Sequence, residues 1–269
     1  MTVRVSYYPG CTLKSKAKAL DEQARAVLRA LDIELVEIPE WQCCGAVYPM
    51  AKDEIAQRLG AVRALVQAKE MGLPLLTVCS ACHHVLKRVN HDMAEDKEIR
   101  DKVNAYLQLE NPYAGETKVI HFLELLRDQV GFDQLKAKVK EPLTQAKIGA
   151  YYGCMLLRPS KVMAMDDAEA PTLFEDILAA LGAEPVLFAA RNACCGSHQT
   201  VIDQKAVEKN GGKVLHSLAQ QGGEKIVTVC PLCWYNLQQT KTAEAPEVVY
   251  LTELMYRALG LEAMQHAEG

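Results

Sequence analysis

The chain is sparing in several features, and each scarcity removes a class of function. Only 2 Trp and 4 Phe occur in 269 residues, and no dense Lys/Arg block interleaves with aromatics, so nothing offers the charged stacking surface that nucleic acid requires. The net charge of −4 points the same way. Apolar runs such as GLPLLTVC fall far short of the ~20 residues needed to cross a bilayer, so membrane contact is expected only through a partner. The opening MTVRVSYYPG carries no apolar signal core, and a reducing cytoplasm is the expected compartment. Also missing are a Gly-rich flavin or nicotinamide fingerprint and a ferredoxin-type C-x2-C-x2-C-x3-C run.

What is present is cysteine. Ten residues fall into two sets with one internal order: a lone Cys, a Cys-Cys-Gly and a Cys-x-x-Cys. The first set is Cys11, Cys43, Cys44, Cys79 and Cys82, the second Cys154, Cys194, Cys195, Cys230 and Cys233. In both, 34 residues separate the adjacent pair from the Cys-x-x-Cys, whereas 31 and 39 residues precede the pair. At under 4% of the chain, this is no secreted disulfide scaffold. It reads as a duplicated metal-binding unit.

The duplication extends to the surrounding pattern. VRVSYYPGC and KIGAYYGC read as strands ending at Gly-Cys, and LPLLTVCSAC and EKIVTVCPLC as strands ending at Cys-x-x-Cys, each followed by an amphipathic helix. Helical periodicity in LDEQARAVLRALD and PTLFEDILAALG precedes the strands IELVEI and EPVLF, and the units close alike with VIHFLELLRDQVG and VVYLTELMYRALG. Strand, helix, strand predicts α/β architecture: two pseudo-symmetric units with mainly parallel sheets, and the cysteines at the carboxyl ends of strands, where such sheets gather their sites. The charged stretch 128–147 is expected to be the linker, giving units of 1–140 and 141–269. The Cys-x-x-Cys motifs should lie at helix N-termini, which favour thiolates. Gly45 and Gly196, following the pairs, would let backbone approach a bulky ligand.

Ligand count bears on the metal. A structural zinc or a cubane iron–sulfur cluster takes four ligands, and five cysteines would leave one idle in each unit. Adjacent cysteines point apart along an extended backbone, which suits neighbouring irons or one bridging thiolate better than a single ion. Each unit therefore reads as a five-cysteine iron–sulfur site, with zinc at one site as a minor alternative.

These residues resemble the cysteine-rich, or CCG, domain, and the full pattern is similar to the B subunit of heterodisulfide reductase. The resemblance implies two noncubane [4Fe-4S] clusters, one held by each five-cysteine set. It further implies cleavage of a small disulfide, the mixed disulfide of coenzymes M and B or a related one, between the two clusters. Electrons would come from a ferredoxin-like iron–sulfur C subunit fed by a flavin-containing A subunit, with hydrogenase, formate or pyridine-nucleotide modules beyond. A rival within the resemblance is a CCG protein that carries electrons for a flavin-dependent 2-hydroxy acid or glycerol-3-phosphate oxidising complex and cleaves no disulfide.

Other residues carry weaker signals. His198 could hydrogen-bond a cluster or donate a proton, as could His83 and His84, although a polar residue after a metal loop is often only a satisfied turn. Lys14, Lys16 and Arg158 could steer an anionic thiol substrate. Trp234 and Tyr235 read as packing at a helix start, and His91, His121, His216 and His266 as ordinary core or surface histidines.

Overall fold

A computed structural model describes residues 3–46, 53–200, 202–240 and 242–262. In the first half, β1 (Val3–Tyr7) leads through a single helical turn, α1 (Cys11–Lys14), into α2 (Lys18–Ala30) and β2 (Ile33–Glu37). Then follow α3 (Ala56–Glu70), β3 (Leu75–Thr77), α4 (Ser80–Glu95), α5 (Lys97–Leu107), β4 (Val119–His121), a short α6 (Phe122–Leu125) and α7 (Phe132–Lys138). The second half runs β5 (Lys147–Tyr151), α8 (Ser160–Met163), α9 (Leu173–Ala180), β6 (Glu184–Pro185), α10 (Gln204–Ala219), β7 (Lys225–Thr228), α11 (Pro231–Thr240), β8 (Glu247–Tyr250) and α12 (Leu251–Ala258).

The two sheets have the same topology. Each has four strands, ordered β2-β1-β3-β4 and β6-β5-β7-β8, and all pairings are parallel, with Val5 opposite Leu35 in the first and Ala150 opposite Val227 in the second. Chain order reverses on either side of β1 and of β5, which places a switch point between β1 and β3 and another between β5 and β7. Outside the carboxyl ends of strands at such a point, loops diverge and leave a crevice. The sequence patterns for the strands and crossover helices are met, with β6 the shortest strand; its Pro185 is tolerated at the sheet edge, where the flanking amides of Glu184 and Val186 make the bonds to the β5 side.

The stretch expected to link the units is partly helical and docked. Within 128–147, residues 132–138 form α7, where Leu135 is buried with 0% exposure, and the amides of Lys140 and Glu141 both donate to the Ala258 carbonyl. One buried leucine and a pair of backbone bonds dock a segment whose composition is mostly charged. The halves also interlock elsewhere. α12 packs on α2, the Thr252 hydroxyl donates to the Leu20 carbonyl at 3.3 Å, and Leu28, Val27, Leu251 and Met255 lie in one continuous core.

Leu28 sits in that shared core at 0% exposure. Leu28→Ala should therefore cost about 2–5 kcal/mol, the usual range for a buried leucine. Denaturant unfolding measures it, and a loss below about 1 kcal/mol would show that α2 is not part of a tightly packed core.

Candidate metal centre

Each set of five cysteines is gathered from three loops at the carboxyl edge of its sheet. Gly10 and Gly153 close the first strands and deliver Cys11 and Cys154; the loops after β2 and β6 carry the adjacent pairs; and the Cys-x-x-Cys motifs open α4 and α11. Cys79 is the N-cap of α4 and accepts the Cys82 amide at 3.4 Å, while Pro231 occupies the first position of α11, where its missing amide costs nothing. Helix N-termini therefore face the sulfurs, as the sequence predicts.

The thiols are all free, and they meet in pairs. Cys43 Sγ lies 3.6 Å from Cys11 Sγ, Cys44 Sγ 3.6 Å from Cys82 Sγ, and Cys195 Sγ 3.4 Å from Cys233 Sγ. The Gly196 amide donates to Cys194 Sγ at 3.3 Å. Cys44, Cys79, Cys82, Cys195, Cys230 and Cys233 are buried, and Cys43 is exposed. Packing is tight enough that a Cβ on Gly10 would stand 2.8 Å from Cys82 Sγ.

Crowding sets the proton distribution. Contacts with the sulfurs of Cys44 and Cys79, then burial, push the Cys82 thiol well above its ordinary range; Cys195, Cys230 and burial do the same to Cys233. The hydrogen bond from Cys154, reinforced by the Gly196 amide and His198, brings Cys194 down to about 5. Such thiols share protons, and ionising all five at once would crowd like charges in a buried space unless cations offset them. That donor chemistry fits a thiolate-bound, multi-iron group. Among the described residues, no three Cys, His, Asp or Glu side chains are gathered closely enough to hold a metal ion as they stand.

The two sets meet at a seam. The Ser80 amide and hydroxyl both donate to the Val229 carbonyl, at 2.9 and 3.1 Å, and the Tyr250 hydroxyl donates to the Val78 carbonyl at 2.5 Å. These bonds lock the residue before each Cys-x-x-Cys to the opposite half. As a result Cys79 and Cys230 come close enough across the seam for each to shift the ionisation of the other, Cys79 upward and Cys230 downward.

The remaining candidate residues have defined surroundings. His198 Nδ1 is 3.9 Å from Cys194 Sγ, so it does border the second set. His84 Nδ1 is held 2.9 Å from the Met155 carbonyl. Gly45 and Gly196 have φ of +82° and +85°, a conformation that favours glycine; a Cβ on Gly45 would meet only the Gln57 carbonyl at 3.6 Å, whereas one on Gly196 would stand 3.2 Å from Val207 Cα. Lys14 and Arg158 are not free to steer an anion: Lys14 is paired with Glu37 at 3.0 Å and Arg158 with Glu169 at 2.8 Å. Lys16 is exposed, as are His91 and His216. Trp234 packs against the core and Tyr235 is 43% exposed, while His266 lies outside the described residues.

Two features were missed. One is a cavity of about 280 Å3 beside Cys44, walled by Arg58, His84, Arg88 and Val89 and by Met155 from the other half. Arg58 is spent on Asp92 at 2.8 Å, whereas Arg88 is exposed and has no ion-pair partner among the described residues. A larger cleft of about 500 Å3, lined by Glu141, Lys225 and Glu247, opens at the amino ends of β5, β7 and β8, away from every cysteine. The other is a buried polar cluster next to Cys82. His83 and His121 have ring centroids 5.2 Å apart, His83 Nε2 is 3.2 Å from Glu124 Oε2, and Lys87 Nζ is 3.1 Å from Glu124 Oε1. The signal was in the sequence, since VIH at 119–121 stands where the second unit has VVY at 248–250.

The comparisons with known proteins agree with this geometry. The sequence profile of the cysteine-rich domain, CCG, matches residues 5–87 and 148–238. The chain belongs to the CCG family. Its relatives include the 8-methylmenaquinol:fumarate reductase membrane anchor subunit of Wolinella succinogenes, 34% identical over 98% of this chain and 95% of that one. The B subunit of the ferredoxin/F420H2-dependent CoB-CoM heterodisulfide reductase of Methanosarcina acetivorans is 28% identical over 96% and 89%. Among solved structures, a hypothetical protein from Helicobacter pylori shares the fold with a TM-score of 0.72 at 12% identity, over 96% of this chain and 49% of that protein. The CCG chain therefore spans about half the length of that structure. Among its described residues no helix is long and apolar enough to cross a membrane.

Burial holds His83 and His121 neutral by lowering their pKa values, His121 the more strongly. A depressed folded pKa gives stability that is present above the unfolded value near 6.5 and is lost as pH falls, because the unfolded chain takes up the protons. Each histidine should contribute a slope of up to about 1.4 kcal/mol per pH unit below pH 6.5. Urea unfolding at pH 7, 6 and 5 reads the slope, and His121→Asn, which retains a side-chain cap for the Leu123 amide, should make it shallower. An unchanged slope in that variant would contradict the assignment.

Proposed function

We propose that this CCG chain is the iron–sulfur catalytic component of a heterodisulfide reductase-like complex, reductively cleaving a small disulfide between two noncubane [4Fe-4S] clusters. Cys11, Cys43, Cys44, Cys79 and Cys82 would hold one cluster, and Cys154, Cys194, Cys195, Cys230 and Cys233 the other. The units are taken as 1–140 and 141–269, and the compartment as the cytoplasm. The observation that carries the reading is the seam: the bonds from Ser80 to Val229 and from Tyr250 to Val78 join the loops of the two five-cysteine sets, and a cavity that draws Met155 from the second half lies beside Cys44 of the first.

Bound there, iron–sulfur clusters supply electrons one at a time. A disulfide needs two electrons and two protons to become two thiols, which matches a pair of sites better than one. The chain's own residues bind and orient the disulfide. Val85, Val89 and Met155 give the cavity an apolar wall, and Arg88 offers a free guanidinium to an acidic group on the substrate. With no flavin or nicotinamide fingerprint, the chain would receive electrons from a ferredoxin-like iron–sulfur partner, itself served by a flavin-containing partner and by hydrogenase, formate or pyridine-nucleotide modules.

A second reading is favoured by the 34% identity to a quinol:fumarate reductase component. In it the same two clusters carry electrons between a quinol or flavoprotein and a partner, and no disulfide is cleaved.

Anaerobically purified protein should contain about eight irons and eight acid-labile sulfides per chain. One zinc per site with no sulfide would end the iron–sulfur reading. With reduced ferredoxin as donor, the complex should turn over a low-molecular-weight disulfide, and Arg88→Ala should raise KM for an acidic disulfide roughly 10-fold with kcat little changed. Oxidation of a menaquinol with no disulfide turnover would decide for the second reading.

A further inference from the structure

We infer that Tyr8, Tyr151 and Tyr250 are positioning residues for the cysteine sites, each acting through the peptide carbonyl that immediately precedes a cysteine motif. The inference rests on the iron–sulfur reading. The Tyr8 hydroxyl donates to the Gln42 carbonyl, directly before Cys43, and the Tyr151 hydroxyl to the Ala193 carbonyl at 2.7 Å, directly before Cys194. The Tyr250 hydroxyl donates at 2.5 Å to the Val78 carbonyl, directly before Cys79, and it does so from the opposite half. All three rings are 0% exposed.

A buried tyrosine hydroxyl needs some partner, so a single such bond would mean little. Three hydroxyls selecting the same peptide position is a different matter. Tyr8 and Tyr151 each stand three residues before the leading cysteine of their set, yet the loops they reach across differ in length by eight residues, 31 against 39. The common register was reached through unlike loops. Each ring also lies within electrostatic reach of four cysteines of its own set: Cys11, Cys43, Cys44 and Cys82 for Tyr8, and Cys154, Cys194, Cys195 and Cys233 for Tyr151.

The physical effect follows from the planarity of the peptide. A hydrogen bond accepted at the carbonyl fixes the plane that leads into the cysteine, and so fixes where its Sγ is presented. It also polarises the amide at the other end of the same plane, which belongs to Cys43, Cys194 or Cys79, the last of which donates to Thr77 Oγ1 at 3.3 Å. Amide dipoles near cluster sulfurs set reduction potential. Removing the hydroxyl should loosen the plane and weaken that dipole, shifting the potential of the cluster it serves downward.

The test uses Tyr8→Phe, Tyr151→Phe and Tyr250→Phe in the anaerobically prepared holoprotein, with redox titration followed by electron paramagnetic resonance and with iron analysis. Tyr8→Phe should lower the potential of one cluster and Tyr151→Phe that of the other. Tyr250→Phe should move the same cluster as Tyr8→Phe, although Tyr250 belongs to the second half. Loss of iron from that one site, the other intact, makes the same assignment. Tyr113→Phe is the control, because its hydroxyl bonds the Asn90 side chain; it should leave both potentials unchanged. The inference is overturned if the three variants shift neither cluster, if Tyr250→Phe moves the cluster that Tyr151→Phe moves, or if Tyr113→Phe shifts potentials equally. A wild-type protein without clusters would instead refute the iron–sulfur reading itself.

Discussion

The arrangement depends on a short backbone seam where the loops after β3 and β7 meet. Val229 accepts two hydrogen bonds from Ser80, and Val78 accepts one from Tyr250. Because each carbonyl belongs to the residue just before a Cys-x-x-Cys, the seam brings the two helix N-termini and their thiols together. Were the sheets joined along any other edge, each half would keep its five cysteines and the sets would be strangers. Packing of α2 against α12, the helix that follows Tyr250, reinforces the joint.

Within each half, the carboxyl edge of a parallel sheet does the gathering. The switch point separates the loops after the first and third strands, and the loop after the second folds over to close the set. Buried ion pairs stiffen these approaches. Tyr7 and Arg25 hold Asp21 at 2.5 and 2.8 Å, and Tyr152 and Arg191 hold Glu175 at 2.5 and 2.6 Å. The halves are not identical, however. His83 and His121 in the first stand where Trp234 and Tyr250 stand in the second, so a histidine pair beside Cys82 has aromatic counterparts in the other half. Two chemically alike sites in unlike surroundings need not share a potential.

Much of this was legible in the sequence, because cysteine spacing and strand patterning report on the same loops. The strands ending at Gly10 and Gly153, the helices opening at Cys79 and Cys230, and the crossover order all follow from local pattern. The failures are long-range. Nothing in the neighbourhood of Lys14 shows that Glu37 will neutralise it, nor does the sequence near Arg158 single out Glu169. Residues 132–138 look like a linker until Leu135 finds a core. Arg58, Arg88 and Met155 share a cavity only after the halves dock, and no local period encodes that meeting. The VIH and VVY difference at 119–121 and 248–250 was visible, and its meaning depended on knowing that His83 lay opposite.

The central claim is that two separate iron-containing sites face one another across the Cys79 and Cys230 seam. Anomalous diffraction at the iron edge, from crystals of anaerobically prepared protein, tests it most directly. The account predicts two iron peaks per chain, one enclosed by each five-cysteine set, with the seam between them. A single peak, a peak drawing cysteines from both sets, or a signal at the zinc edge in place of iron would contradict it.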